Sequence, residues 1–313
     1  MSEENNLSEV ETQLWLNAAA YEGVLRANAY VAISRISYEG GKFKESLALC
    51  ETAREIYEQE NVSEHQREIF DVNVGISRNY EKLNRLDEAA KALGPAIEAA
   101  KVLDIEELDD LLREQGRHWF IAGEYENSIA CHQAAIDMSQ MNLGDNSFEL
   151  DYFNIGMGLY ELGRYEESKN AYLKARAAFK EIGEVIHVVD CNYQIAENYV
   201  QLKNPVEIIH YGQKALDFYT LVDDHRKIWS LKYFLGVAQQ LLGEIDSATL
   251  LLEEAKQLAV VMGWKEWQFL IKVDTALAEL YETNGFHDQA VEILRRVKSV
   301  EEIVAKDAID EAA

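Results

Sequence analysis

Residues 149–182, ELDYFNIGMGLYELGRYEESKNAYLKARAAFKEI, decide the fold class of this chain. On both sides of Gly163, apolar or small side chains recur every three or four residues, which is the spacing of one helical face. They are Tyr152, Ile155, Gly156 and Leu159 before the glycine, and Tyr165, Ser168, Tyr172, Ala175 and Phe179 after it. Glycine accepts the backbone conformation that ends a helix, and acidic residues favour the start of the next one. The stretch therefore predicts two helices joined by a short turn.

A block similar to this turn recurs along nearly the whole chain at intervals of about 40 residues. The seven blocks begin at Gly41, Asn84, Gly123, Gly163, Lys203, Gly243 and Gly285. Neither helix of such a unit can bury its apolar stripe alone, so neighbouring units must stack. The sequence therefore predicts an all-α fold built from about seven helix pairs, with the pairs packed one after another.

The repeating unit resembles the tetratricopeptide repeat (TPR). The fourth unit carries that family's pattern at Ile155-Gly156, Leu159, Gly163, Tyr165, Ser168, Tyr172 and Ala175, and the sixth at Leu235-Gly236, Gly243, Ala248 and Ala255. The long period is similar to that of the subclass with Rap-type peptide receptors, Pins-type adaptors and kinesin light chains. The resemblance implies a right-handed α-solenoid whose first helices line a concave groove.

The predicted solenoid is a single domain of seven units over residues 21–298. Residues 1–20 are expected to form an N-terminal capping helix or tail, in which Ser8-x-x-Glu11 resembles a capping box that opens a helix. Residues 299–313 are expected to form an acidic C-terminal helix or tail.

The charge of the chain excludes some partners. Lys and Arg number 30 against 56 Asp and Glu, which gives a formal net charge of −26. This charge opposes binding to nucleic acid and to anionic membranes. No stretch reaches the length of about 18 apolar residues that spans a membrane, and three cysteines without a C-x-x-C pair fit a reducing compartment. We therefore expect a cytoplasmic protein.

Catalytic signatures are missing from the sequence. It has no G-x-S-x-G, no G-x-x-x-x-G-K-[ST] and no H-E-x-x-H motif. Two Glu-x-x-His pairs, at Glu184 and Glu207, have the spacing of di-iron ligands, but a short spacing alone is weak evidence. We predict a protein that is not an enzyme and that uses no metal and no cofactor.

The first helices carry a second set of side chains, which the resemblance places in the groove. Arg35, Arg78 and Arg117 each lie six residues before a turn, and Arg113 lies one helical turn from Arg117. The middle units place apolar and aromatic residues on the same face, with one amide beside them. These further candidate groove residues are Phe153, Asn154, Met157, Tyr160, Tyr193 and Tyr233.

Two interpretations of the arginines stay open. They could bind carboxylate or phosphate groups of a ligand through bidentate hydrogen bonds. They could instead be neutralised within the protein by Asp71, Asp110 and Glu81, as in many structural arginine networks.

The predicted function is a non-catalytic scaffold that binds a protein segment or peptide in its groove. One alternative is a Rap-like peptide-sensing regulator. Only about 20 residues precede the first repeat, so we expect it to lack the helical bundle that carries phosphatase activity in Rap-type proteins. A second alternative is an acidic protein that mimics DNA or sequesters a basic partner. The sequence predicts no particular oligomeric state.

Overall fold

The computed structural model describes residues 3–60, 62–106, 108–141, 148–262 and 267–312. Across these ranges the regular structure is helical, as predicted, with no strand. A short 3-10 turn lies at Val62–Glu64, and the α-helices are α1 (Glu3–Ala20), α2 (Gly23–Glu39), α3 (Phe43–Gln59), α4 (Gln66–Lys82), α5 (Leu86–Leu103), α6 (Leu108–Ile121), α7 (Tyr125–Met141), α8 (Glu149–Glu161), α9 (Tyr165–Ile182), α10 (Val185–Gln201), α11 (Pro205–Leu221), α12 (His225–Leu242), α13 (Ile245–Met262), α14 (Trp267–Thr283) and α15 (His287–Ala312).

The seven predicted turns are confirmed. Each turn residue separates two consecutive helices and has a positive φ. Five of them are glycines, while Asn84 has φ 57° and Lys203 has φ 53°. A side chain in this left-handed region costs free energy, so the packing of the flanking helices must offset that cost at the two non-glycine turns.

Polar side chains fix the starts of two later helices. The side chain of Asn204 accepts a hydrogen bond from the backbone N–H of Glu207, and Pro205 begins α11 at a position where no backbone donor is needed. Asp224 caps α12 in the same way by accepting from the backbone N–H of Lys227 at 3.1 Å. These caps help to set where α11 and α12 begin.

The close packing of the helix pairs depends on small residues at equivalent positions. Twelve residues after each of the first six turns stands an alanine without solvent exposure; these are Ala53, Ala96, Ala135, Ala175, Ala215 and Ala255. An alanine lets the backbones of neighbouring helices approach, and the larger side chains then fill the space on either side.

The chain divides into two compact units, residues 1–162 (unit 1) and 163–313 (unit 2). In unit 1 the core consists of clusters between successive helices, one of them around Tyr57 and Ile76 and another around Leu93 and Leu112. In unit 2, equivalent clusters surround Phe234 and Leu252; these clusters hold successive first helices in place.

The two ends differ in part from the expectations. Helix α1 begins at Glu3, so Ser8 lies inside a helix and the predicted capping box at its start is wrong. Helix α15 continues from the seventh repeat to Ala312 as one helix of 26 residues, so the acidic end extends a repeat helix. Residues 1, 2 and 313 lie outside the described residues. No helix in the described ranges is both long and apolar enough to cross a membrane.

Candidate functional site

The first helices of the first two repeats share a cavity of about 670 Å³ in unit 1. Helix α2 contributes Arg35 and α4 contributes Arg78, so two of the three arginines that lie six residues before a turn line the same cavity. We call it the arginine cavity. The lining residues that matter below are Arg35, Tyr38, Phe70, Val74, Arg78 and Glu114.

The arginines of this cavity differ in their ion pairs. Arg67, which also lines it, lies 3.6 Å from Asp71, one turn along the same helix. Arg35 and Arg78 are both exposed, and neither forms an ion pair with any carboxylate among the described residues. Asp71, which the sequence offered as a partner for this column, is therefore used by Arg67. Two guanidinium groups face the cavity without a carboxylate partner.

Glu114 also lines this cavity, and its surroundings shift the pKa of its carboxyl group. Burial raises the pKa of Glu114, and the positive charge of Arg78 acts against that shift. Glu114 forms no hydrogen bond with the residues that the structure describes. Arg78 is thus close enough to influence a neighbouring carboxylate but is not held by it.

Arg113 serves a different purpose, inside the protein. Its guanidinium donates to Asp109 at 2.7 Å, to Asp110 at 3.1 Å and to Asp151 at 3.0 Å. Asp151 is fully buried and also contacts Nδ1 of the buried His132 at 2.8 Å. Burial alone would lower the pKa of Arg113, but these carboxylates together raise it. Here the structure matches the interpretation of an internal salt-bridge lattice.

Arg117 is also bound internally. Its Nη2 donates to Glu81 at 2.9 Å and lies 3.1 Å from Nε2 of the buried His118. Burial raises the pKa of Glu81, but the hydrogen bond and charge of Arg117 outweigh it and the pKa is lowered. Ligand atoms of Glu81, Glu114 and His118 lie within 4.8 Å of one another, a spacing that could hold a metal ion. The guanidinium of Arg117 already supplies positive charge there.

Four candidate residues meet in a second, smaller cavity of unit 1, of about 360 Å³. These are Arg113, Arg117, Asn154 and Met157. Phe153 and Tyr160 lie on the same helix, α8, and are half-buried, but they are not part of this lining. The column of arginines is therefore divided between two cavities of unit 1.

In unit 2 the candidate tyrosines have different surroundings. Tyr193 packs against Phe234 with ring centroids 5.5 Å apart, and the Nζ atom of Lys227 lies 3.8 Å from the centre of its ring. Tyr233 instead lines a cavity of about 690 Å³ between α10, α12 and α14. We call this the lysine cavity, after Lys203 and Lys272 in its lining.

Sequence reasoning missed the two lysines of this cavity. Lys203 occupies the fifth turn and Lys272 lies early in α14, so neither belongs to the column of first-helix positions that contains the arginines. The only signal available was the lysine in place of glycine at the fifth turn. Packing of three first helices brings the two side chains to one cavity.

Two of the cysteines, Cys50 and Cys191, are buried, and Cys131 is half-buried. Burial raises the pKa of Cys131 to about 11 and is the first cause that raises the pKa of Cys191 to about 12. The thiols therefore stay protonated and unreactive at neutral pH.

Comparisons with known proteins agree with this geometry. Residues 152–175 match the family model of the tetratricopeptide repeat. No curated protein sequence matches the chain.

Among solved structures, a STAND signal-transduction ATPase with a tetratricopeptide repeat sensor from Pyrococcus horikoshii has a TM-score of 0.58 and 18% identity, covering 88% of this chain and 41% of that one. The C-terminal part of a TPR repeat-containing protein from Cytophaga hutchinsonii has a TM-score of 0.56 and 15% identity, covering 90% and 98%. The apo form of RapI has a TM-score of 0.55 and 13% identity, covering 90% and 99%.

The chain is thus an all-helical repeat protein of the tetratricopeptide type. The pattern of turns and buried alanines and the match at the fourth repeat agree on this class. Identities of this size show a shared fold.

Proposed function

We propose that the protein is a non-catalytic scaffold and that the arginine cavity of unit 1 binds an extended protein segment carrying acidic side chains. The observation that carries the proposal is the pair Arg35 and Arg78. They are exposed, they line one cavity, and they lack a carboxylate partner among the described residues of a chain with net charge −26. Although carboxylates are abundant in this protein, these two arginines form no ion pair with them. Both guanidinium groups are therefore available to an external anion.

The other walls of the cavity suit a peptide better than a bare anion. Tyr38 and Phe70 supply aromatic surface, and Val74, one helical turn after Phe70, adds an aliphatic side chain. Arginine and tyrosine are the side chains that most often dominate binding energy at protein interfaces. A preformed cavity also means that little ordering is required of the receptor when the segment binds.

Binding of fluorescein-labelled decapeptides tests the proposal. The probe carries two glutamates and two leucines in a Ser/Gly background, and a second probe has glutamines in place of the glutamates. We expect the acidic probe to bind and the Arg35→Ala/Arg78→Ala variant to weaken its binding by about 100-fold, because each charge-assisted hydrogen bond contributes about 1.5–3 kcal/mol. Added salt should weaken the interaction as well.

Two further variants identify the cause of any loss. Arg35→Lys/Arg78→Lys keeps the charge but removes the bidentate fork, and should lose an intermediate amount of affinity. Arg85→Ala/Arg164→Ala removes the same charge from exposed arginines, each paired with a glutamate three residues later, and should bind as the wild type does. Equal losses in this control and in the Arg35/Arg78 variant, or equal binding of the two probes, would contradict the proposal.

A further inference from the structure

We infer that the lysine cavity of unit 2 is a second binding site. It binds a peptide carboxylate between Lys203 and Lys272, and its walls contact the apolar side chains of the peptide that adjoin this carboxylate. This site is separate from the arginine cavity and does not depend on the proposal made for it. Its ligand is an extended peptide segment with a carboxylate next to a branched aliphatic side chain.

The pairing of lysines in this part of unit 2 shows why these two are available. Lys232 forms an ion pair with Glu254, and Lys256 forms one with the buried Asp274 at 3.1 Å. Lys203 and Lys272 are exposed and have no ion pair within the described ranges. Lys272 has only an aromatic contact, with its Nζ atom 5.4 Å from the centre of the Tyr233 ring.

The charge of the cavity differs from that of the chain. Among the residues that the structure describes, its charged lining residues are the two lysines and one glutamate, Glu279, so this lining is positive in a protein of net charge −26. A local field of this sign attracts an anionic group, and the surrounding negative charge repels anions elsewhere. Charge complementarity therefore selects an acidic occupant.

The remaining lining residues select a peptide. Gln240 and Gln268 carry amides that can both donate to and accept from a peptide backbone. Val237 and Ile271 offer branched aliphatic surface beside them. Burial raises the pKa of Tyr233 to about 12, so its hydroxyl keeps its proton at neutral pH and can donate to a carboxylate. The cavity volume, about 690 Å³, lies within the usual range for ligand sites.

Glu279 should limit the affinity of this site. Its negative charge is near enough to Tyr233 to contribute to the raised pKa of that hydroxyl, after burial. An incoming carboxylate must approach the same region, where it meets this like charge. Removing the charge should therefore strengthen the binding of an acidic ligand.

Lys203 offers an unusually clean test variant. It adopts φ 53°, a conformation in which glycine is unstrained, and most of the other turns have glycine there. Lys203→Gly removes the ammonium group and relieves the backbone, so a loss of binding cannot be attributed to unfolding. We combine it with Lys272→Ala at an exposed position of α14.

The experiment measures fluorescence anisotropy of labelled Ser/Gly decapeptides in the Arg35→Ala/Arg78→Ala background, so that the arginine cavity contributes nothing. One probe has a central Val-Glu-Val and an amidated C-terminus. Another has Val-Gln-Val and a free C-terminal carboxylate, and a third has Val-Gln-Val and an amidated C-terminus. The first two distinguish an acidic side chain from a chain terminus as the source of the carboxylate.

We expect at least one carboxylate probe to bind at least about tenfold more tightly than the neutral probe. Lys203→Gly/Lys272→Ala should abolish that preference, whereas Glu279→Gln should increase it. The matched control Lys180→Ala/Lys298→Ala removes the same charge from two exposed lysines of unit 2 outside the cavity and should leave it unchanged. No preference for either carboxylate probe, or the same result with the control and the Lys203/Lys272 variant, would overturn the inference.

Discussion

The cavities of the two units obtain their unpaired basic side chains in different ways. In unit 1 three arginines occupy equivalent repeat positions, and Arg113 lies one helical turn from the third of them. Carboxylates hold Arg113 and Arg117 but not Arg35 and Arg78. In unit 2 the equivalent positions carry no arginine, and the charge comes from Lys203 and a second lysine at unrelated positions. The difference teaches that a basic side chain is available to a ligand only where no carboxylate of a neighbouring helix reaches it.

The same contrast continues into the core of each unit. Asp151 is buried in unit 1 between Arg113 and the buried His132. Asp274 is buried in unit 2, where it accepts from Arg296 at 2.8 and 2.7 Å and pairs with Lys256. The side chain of Arg296 is 43% exposed, whereas that of Arg113 is 23% exposed. Unit 1 therefore holds its aspartate among more deeply buried partners.

The largest expected effect follows from that difference. Asp151→Asn should destabilise the protein by about 3 kcal/mol, because it removes the buried one of the three carboxylates that hold the half-buried Arg113, and that carboxylate also contacts the buried His132. Asp274→Asn should cost less, since water can solvate the half-exposed Arg296 in its place. Thermal unfolding midpoints of the two variants measure this order.

The exposed pair of Asp87 with Lys91 provides the control for this comparison. Asp87→Asn should leave the unfolding midpoint nearly unchanged, as for most surface ion pairs. If Asp274→Asn proved as costly as Asp151→Asn, the burial of the basic partners would not be what distinguishes the two units.

Two glycines test how rigid the surroundings of these clusters are. A Cβ on Gly116 would lie 2.8 Å from Nε2 of His132, and one on Gly236 would lie 2.8 Å from Cγ of Leu252. Both alanine variants should lose about 1–3 kcal/mol of stability through overpacking. Gly116→Ala should be the worse, because the hydrogen bond to Asp151 prevents His132 from moving away.

Gly212 is the matched control for the glycine variants. A Cβ there would lie 3.4 Å from Cδ2 of Leu235, an ordinary contact distance, and the residue lies inside α11. Gly212→Ala should therefore leave the stability of the protein unchanged or raise it by up to about 1 kcal/mol through helix propensity. Chemical denaturation of the three variants compares them, and a stabilised Gly116→Ala would show that the helices are not in close contact there.

The sequence predicted the fold well because the fold depends on local spacing. Turn residues and apolar stripes repeat every 40 residues or so, and a regular period determines where helices begin and end. Even the turns without glycine, at Asn84 and Lys203, fell at the expected places. The capping box at Ser8 failed because a local motif does not establish that a helix starts there.

The site was less predictable because it depends on contacts between distant residues. The pairing of Arg113 with Asp151 joins residues 38 apart, and that of Arg117 with Glu81 joins residues 36 apart. The sequence indicated that the arginines share a face but not which of them a carboxylate reaches. The lysine cavity was missed for the same reason, since its two lysines come together only through the packing of α10, α12 and α14.

The smallest expected effect is a pH dependence that should belong to unit 1. The fully buried histidines of the described chain, His118 and His132, both lie in that unit. Burial lowers the pKa of His118, and the charge of Arg117 lowers it further. As pH falls below the ordinary histidine value of about 6.5, the unfolded chain takes up a proton before the folded chain does. Stability should therefore decrease until the pH reaches the lowered pKa of the folded state.

His118→Gln tests this dependence, because the amide oxygen can still accept from Arg117 but does not titrate in this range. Urea unfolding at pH 7 and at pH 5 should show a smaller loss of stability in this variant than in the wild type. Glu81 and Glu114 are present in both proteins, so the difference between the two losses reports on the histidine. His225→Gln, at an exposed position of unit 2, should lose as much stability as the wild type. A His118→Gln protein with the same loss as the wild type would mean that the acid sensitivity does not come from the histidine buried beside Arg117.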